Sequence, residues 1–383
     1  MSYYILPKIN NGIRVTPKDD LNNCKVYISN SLLNYYTETK TQLINMCLND
    51  PDTSNKYNEF VKIINPYEYI FSIVPNSKFS VSKLKPNSFL FYDLLEIITT
   101  MNVFESNKNK NIKILNVGSY FNDVCYSIEM MREFNKDIFF TLNDLNELNN
   151  DTFNKLNDQK FDFLFFDSCV NLQTNDINNY FTSLIQIIMI ILKQNNEGSI
   201  CLIKINHIFY KPIIDSLYLL SSLFEKVYII KPNPSNIISF DKYIVCKNYQ
   251  VNKNNLELCE TNYLNLSNFL LKLNNKNITS LIEYDIPYYF INKLDELNNI
   301  MGQQQLESID HLINVLKNKN KDEKIETIKK INIQRSVVWC EKFKIPCNKF
   351  TDKTNIFLPI IKEKEDEEEK EFNQEDVNEN IIT

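Results

Sequence analysis

Between residues 112 and 246, short apolar runs alternate with stretches of helical periodicity, and no other feature restricts the fold of this chain as much. Residues 112–117 (IKILNV) read as a strand ending at Gly118, and 120–133 as a helix. A second strand, 137–142 (DIFFTL), precedes a polar helical stretch, 143–156, and a third, 161–166 (FDFLFF), ends at Asp167. A long apolar helix, 178–193, leads through a turn at 195–198 into a fourth strand, 199–205 (SICLIKI). After a helix over 212–224 come two more strands, 226–230 and 242–246, joined by a Pro-containing loop, 231–241. Strands that are apolar along their whole length are buried on both faces, which predicts a mainly parallel α/β sheet with helices on either side. The last two strands have no helix between them and read as an antiparallel hairpin at one edge. In such sheets ligands bind beyond the carboxyl ends of the strands.

The flanks read differently. Residues 1–84 are Asn-rich and weakly periodic, interrupted by Pro7, Pro17, Pro51, Pro66 and Pro75, and are expected to form an N-terminal extension with a few short elements. A helix over 88–101 opens the sheet domain, 85–250. Residues 251–361 form a helical C-terminal region, with helices expected over 264–273, 287–298, 303–317 and 321–343. The tail, 362–383, carries ten Asp/Glu against three Lys and is expected to be disordered.

Composition decides four points. The chain has 57 Asn, no Ala and only 4 Gly in 383 residues, so Asn carries little information and each glycine more than usual. The net charge of −6 sits in the tail, which alone sums to −7, so the near-neutral body neither favours nor excludes a polyanionic partner. Nine Cys without a C-x-x-C pair, and only His207 and His311, predict no structural metal. The N-terminus lacks the plan of a signal peptide, and the longest apolar run, 181–192, is too short to span a bilayer, so a reduced cytoplasmic setting with no membrane partner is expected.

Gly118, Asp167, Lys204 and Asp241 all lie at or near strand ends. A lysine with a pKa near ~10.4 is a poor base at neutral pH. A neighbouring carboxylate stabilises its ammonium form while burial disfavours it. On spacing alone, an Asp–Lys pair here is either a tuned proton acceptor or a structural ion pair at the sheet edge. Asp144 is likewise either a ligand for ribose hydroxyls or a helix N-terminal charge. His207, just past the strand of Lys204, reads as an incidental loop residue or a substrate contact. Trp339, the single Trp, reads as a core residue.

Residues 198–249 resemble the C-terminal half of the FtsJ-like ribose 2′-O-methyltransferases. The shared pattern is a Gly-Ser-hydrophobic-Lys strand, a Leu-Phe-x-x-Val strand, a Lys-Pro-x-x-Ser loop, and an acidic residue two before Tyr-Ile-Val. Residues 161–171 (FDFLFFDSCVN) are similar to the family's strand with a terminal catalytic Asp. The resemblance covers roughly 85–250 and is strongest to the versions from large cytoplasmic DNA viruses, of cap methyltransferase and asfarvirus type. It implies a Rossmann-like fold dependent on S-adenosyl-L-methionine and methylation of RNA, with capped mRNA as the expected partner. Of the family's Lys-Asp-Lys-Glu tetrad, Asp167 matches the Asp and Lys204 the second Lys, while Asp241 takes the place of the Glu. The implied cofactor contacts are Asn116, Gly118, Ser119 and Asp144, and the implied RNA contacts Lys231 and Ser235.

Two departures matter. Asp93 occupies the position of the first tetrad Lys, leaving Lys83 or Lys85 as substitutes from upstream. The Gly-rich cofactor loop keeps only Gly118, with Tyr120, Phe121 and Asp123 in place of small residues. They keep a second reading open: a catalytically inactive FtsJ-like subunit that binds RNA or protein within a viral transcription or RNA-processing complex. Its protein partners would use the helical C-terminal region or the acidic tail.

Overall fold

The computed structural model describes residues 2–22, 24–71, 80–133, 135–143, 145, 159–167, 177–250, 253–273, 276–318 and 321–348. The chain opens with β1 (Ser2–Ile5), β2 (Lys18–Asp20), α1 (Asn30–Asn49) and α2 (Pro51–Ile64). The central part runs α3 (Leu90–Thr100), β3 (Lys113–Val117), α4 (Phe121–Met131), β4 (Ile138–Leu142) and β5 (Phe161–Phe166). It continues through α5 (Ile177–Gln194), β6 (Asn195–Ile205), α6 (Lys211–Leu223), β7 (Phe224–Lys231) and β8 (Lys242–Tyr249). Then follow α7 (Lys253–Lys272), β9 (Asn277–Ser280), α8 (Tyr288–Lys317) and α9 (Asp322–Lys342).

Seven strands form one sheet in the order β1-β7-β8-β6-β5-β3-β4. β4, β3, β5 and β6 are mutually parallel, while β8 is antiparallel to both β6 and β7. The apolar strands explain the layering. Ile203, Ile205, Phe166 and Ile244 point to a face covered by α5 and α6. Phe163, Phe165, Leu202 and Tyr243 point to the other, covered by α3 and α4. Burying apolar area on both faces is what makes a parallel sheet stable. Pro212 sits in the first turn of α6, where its missing N–H costs no helical hydrogen bond.

Four expectations need correction. The β7–β8 pair is antiparallel, as expected, but it is not the sheet edge: β1 adds outside β7, pairing Ser2 with Lys231 and Ile5 with Tyr228. Residues 195–198 are not a turn but the start of β6, with Asn195 already paired to Phe161. Residues 1–84 hold more than short elements, because α1 fits between Pro17 and Pro51, and Pro51 begins α2. The two helices expected over 287–317 are one. Gly302, which costs helix stability, allows α1 to approach closely, since a Cβ there would run into the tip of Leu32.

The appended segments pack as extra layers. α1, α2 and α8 share a cluster containing Leu43, Phe60, Leu312 and Leu316. α9 packs Trp339 and Phe343 against Phe91 and Tyr92 of α3. The polar stretch expected over 143–156 falls largely, and the acidic tail entirely, outside the described residues.

Candidate active site

The carboxyl ends of β3, β5 and β6 lie side by side in the parallel part of the sheet. The Asp167 backbone N–H donates to the Val117 carbonyl (2.9 Å), and the Gly118 N–H donates to the Leu142 carbonyl (2.9 Å). These bonds carry the β3 ladder past its last strand residue and seat Gly118 against Asp167. Gly118 has φ +152°, and a Cβ there would lie 2.9 Å from the Asp167 Cβ. Only glycine satisfies both the dihedral and the contact. Beside it, Asn116 is fully buried in β3, and neither end of its side-chain amide has a partner among the described residues. A buried amide left unpaired costs free energy. Ser119 and Tyr120 are exposed at the same turn. Asp123 does not crowd it: the carboxylate turns away and accepts from the Asn87 N–H (2.7 Å) and the Ser88 hydroxyl. Asp144 lies outside the described residues.

Lys204 projects from β6, and its Nζ is 3.3 Å from Asp167 Oδ1, with the side chains only 19% and 8% exposed. Across the sheet Lys204 is in register with Tyr243 of β8. The Tyr243 hydroxyl donates to Asp93 Oδ2 (2.8 Å), and so does the Ser235 hydroxyl (2.9 Å). Asp93 is thus brought beside Lys204 from α3. Burial pushes its carboxyl up to about 7, even though the bonds from Tyr243 and Ser235 and the charge of Lys204 act the other way. Burial, and the carboxylates of Asp93, Asp167 and Asp241 around it, drive the Tyr243 phenol far above its ordinary range, so it stays a donor.

Asp241 sits at the mouth of the same strand pair. Asn206 Nδ2 is 3.5 Å from its Oδ1, and its backbone N–H donates to the Ser239 hydroxyl (3.0 Å). Its nearby charge supports Lys231, whose amine burial lowers to about 8 and which donates to the Ser239 carbonyl. Lys231 therefore turns inward along its own loop rather than standing out as a solvated contact. Ser235 departs further from expectation: it is buried, and its hydroxyl is engaged by Asp93. Its work is to hold the loop, not to face solvent.

That loop is also fixed through Glu96. The Glu96 carboxylate accepts from the Asn233 N–H (2.9 Å), the Asn233 side chain (3.0 Å) and the Trp339 indole (3.1 Å). Trp339 is a core residue, as its helical position suggests, but with a polar duty as well. His207 is buried among Tyr180, Phe209 and Tyr210, and burial lowers it to about 4, so it is neutral at physiological pH. Lys83 and Lys85 are exposed upstream of α3. Among the described residues, Lys204 is the lysine that pairs with Asp167.

Sequence reasoning treated Asp93 as a loss and did not find Tyr243. The signal for Tyr243 was present: it stands two residues after Asp241 in a strand whose register had to meet that of Lys204.

Residues 94–249 match the model of the FtsJ-like methyltransferases. Among solved structures, the chain is similar to a Plasmodium falciparum protein assigned as a ribosomal RNA methyltransferase. The two share 21% identity over 42% of this chain and 97% of that one, with a TM-score of 0.33. It is also similar to human methyltransferase-like protein 13 in complex with SAH, at 9% identity over 52% of this chain and 97% of that one, with a TM-score of 0.25. No curated protein matches the chain.

Proposed function

We propose that the FtsJ-like methyltransferase domain of this chain transfers a methyl group from S-adenosyl-L-methionine to a ribose 2′-hydroxyl of RNA, with the capped end of an mRNA as substrate. The observation that carries this reading is the Lys204–Asp167 pair, 3.3 Å apart and largely withdrawn from water at the carboxyl ends of parallel strands. The residues at the β3 turn suit the cofactor: Gly118 gives backbone access where a Cβ would collide, and Asn116 offers a buried amide unpaired among the described residues. Ser119 and Asp144 complete the proposed contacts. Bound there, the cofactor supplies a methyl group already activated by a positively charged sulfur.

The chain's own residues then have a short task. Asp167 fixes the Lys204 amine in one orientation. Lys204, as the neutral amine, would accept the ribose hydroxyl proton as the oxygen takes the methyl carbon and the carbon–sulfur bond breaks to leave a neutral thioether, and Asp241 supplies further negative charge at the strand end. Orientation and proton removal account for most of the rate gain in such a reaction. Asp93 adds a carboxyl on the α3 side, where its Oδ2 accepts from Ser235 and Tyr243.

A second reading, an inactive subunit that binds RNA or protein, is favoured by one observation: the residue aligned with a family lysine is a buried aspartate wired into the core. One experiment separates the two. Cofactor affinity is measured by calorimetry, and tritiated methyl transfer is measured to capped RNA bearing a 2′-hydroxyl or a 2′-deoxyribose at the first nucleotide. Transfer to the hydroxyl form alone is the expected result. Absence of both binding and transfer at millimolar cofactor sinks the enzymatic reading.

A further inference from the structure

Asp93 takes no part in the proton transfer itself, yet the fold fixes its carboxyl in one place. It lies on α3 with 6% exposure, and its Oδ2 accepts both the Tyr243 hydroxyl (2.8 Å) and the Ser235 hydroxyl (2.9 Å). Tyr243 is the register partner of Lys204, and residues opposite one another on antiparallel strands carry their side chains on the same face. Tyr243 shares its cluster with Leu90, Leu94 and Ile97, so that face is the one α3 covers. The Asp93 carboxyl and the Lys204 amine therefore belong to one group of side chains, with Tyr243 reaching from strand to helix between them.

The two oxygens of Asp93 are not equivalent. Oδ2 carries two donors, while Oδ1 is buried and, among the described residues, accepts no hydrogen bond. A proton on the carboxyl can therefore sit on Oδ1 without breaking either bond. The charges around it pull both ways. Lys204 favours ionisation, Glu96 on the same helix opposes it, and the Asp93 charge in turn supports Lys231. Burial outweighs them and raises the carboxyl to about 7, so its charge changes within the neutral range. Coupling between two ionisable groups is reciprocal: since the Lys204 ammonium favours the carboxylate, the carboxylate favours the ammonium.

We propose that Asp93 is a positioning residue for Lys204, whose ionised carboxylate holds the lysine as ammonium and whose protonated form releases it. The proposal rests on the methyltransferase reading above and adds a regulation of its base. Lys204 must shed its proton before it can take one from a ribose hydroxyl, and ionisation of Asp93 works against that step. The rate should therefore climb towards about pH 7, flatten where Asp93 ionises, and climb again once Lys204 loses its proton despite the carboxylate.

The test follows Lys204 as well as the reaction, on the full chain and its Asp93→Asn variant, whose side-chain oxygen can still accept from Tyr243 and Ser235. Lysine side-chain signals are titrated by carbon-13 NMR, and the Lys204 signal is identified by its loss in Lys204→Met. In Asp93→Asn, Lys204 is expected to lose its proton about one pH unit lower than in the parent. In the parent its signal should carry a second, smaller inflection near pH 7 from Asp93. Tyr243→Phe, which removes a hydrogen bond to the carboxylate, should move that inflection to higher pH. Methyl transfer by Asp93→Asn should match the parent below about pH 6 and exceed it by up to about tenfold above about pH 8, with no flat stretch. Loss of a merely structural group would slow the reaction rather than quicken it. Lys204 titrating alike in the parent and Asp93→Asn, or a parental signal with no inflection near pH 7, would overturn the proposal. A shifted titration in a chain that transfers no methyl group would support the coupling and sink the methyltransferase reading alone.

Discussion

The Tyr243 hydroxyl donates to Asp93 across 2.8 Å, tying β8 to α3 at the point where Lys204 also arrives. Among the described residues the Oδ1 of the same carboxyl is buried without a hydrogen-bond partner, so the charged form is poorly supported despite its two donors. This has a consequence for pH dependence. Asp93 ionises at about 7 in the fold against an ordinary 3.8, so between those values the folded state keeps a proton the unfolded chain has lost. Stability therefore falls as pH rises through that window and levels off above it. The full shift corresponds to at most about 4 kcal/mol. Asp93→Asn should remove this falling contribution from the profile of urea unfolding between pH 4 and 8, leaving the opposed contributions of Glu68, which burial raises to about 7, and His207, which burial lowers to about 4 and whose stability contribution grows as pH rises. An unchanged slope in the variant would contradict the assignment.

Lys204→Met removes the proposed proton acceptor together with its ion pair to Asp167. Methyl transfer is expected to drop by about 10²–10⁴-fold. Cofactor affinity should stay at the parental value, because no cofactor contact is assigned to Lys204. A variant that transfers methyl groups at the parental rate would remove Lys204 from the mechanism.

Gly118→Ala forces an L residue into φ +152° and drives its Cβ to 2.9 Å from that of Asp167. We expect a stability loss of about 1–3 kcal/mol from the backbone alone. Cofactor binding should vanish in calorimetry, even at temperatures where circular dichroism reports a folded chain. Retained binding would mean that the β3 turn is not where the cofactor lies.

Arg132 and Asp137 form a buried pair, 2.6 Å apart, and the guanidinium also donates to the carbonyls of Asn107 and Lys110. This pair ties the end of α4 to the segment entering β4. Arg132→Met should cost about 3–5 kcal/mol, because it strands a buried carboxylate. Adding Asp137→Asn should recover part of the loss. Thermal unfolding of the single and double variants measures both effects, and additive losses would contradict the account.

The sheet was largely legible because continuous apolar runs such as 161–166 have few other places to go than the middle of a parallel sheet. Asp167 and Lys204 were legible for the same reason, since strand ends are fixed once strands are. Other parts were not. β1 is four residues long, with two of its side chains pointing to solvent, and its partner β7 lies more than two hundred residues away. α1 buries little besides Leu43, so its periodicity is faint. The continuity of α8 through Gly302 depends on Leu32 of another helix, which no local window contains. The inward turn of Ser235 depends on Asp93, a distant residue whose charge suggested absence rather than partnership.

Trp339 is the chain's single indole, and its N–H points at the carboxylate that also grips Asn233. A shift of the 231–236 segment would be relayed to this one fluorophore through a single shared acceptor. The molecule carries its own optical gauge of loop position, readable by emission wavelength without any label attached.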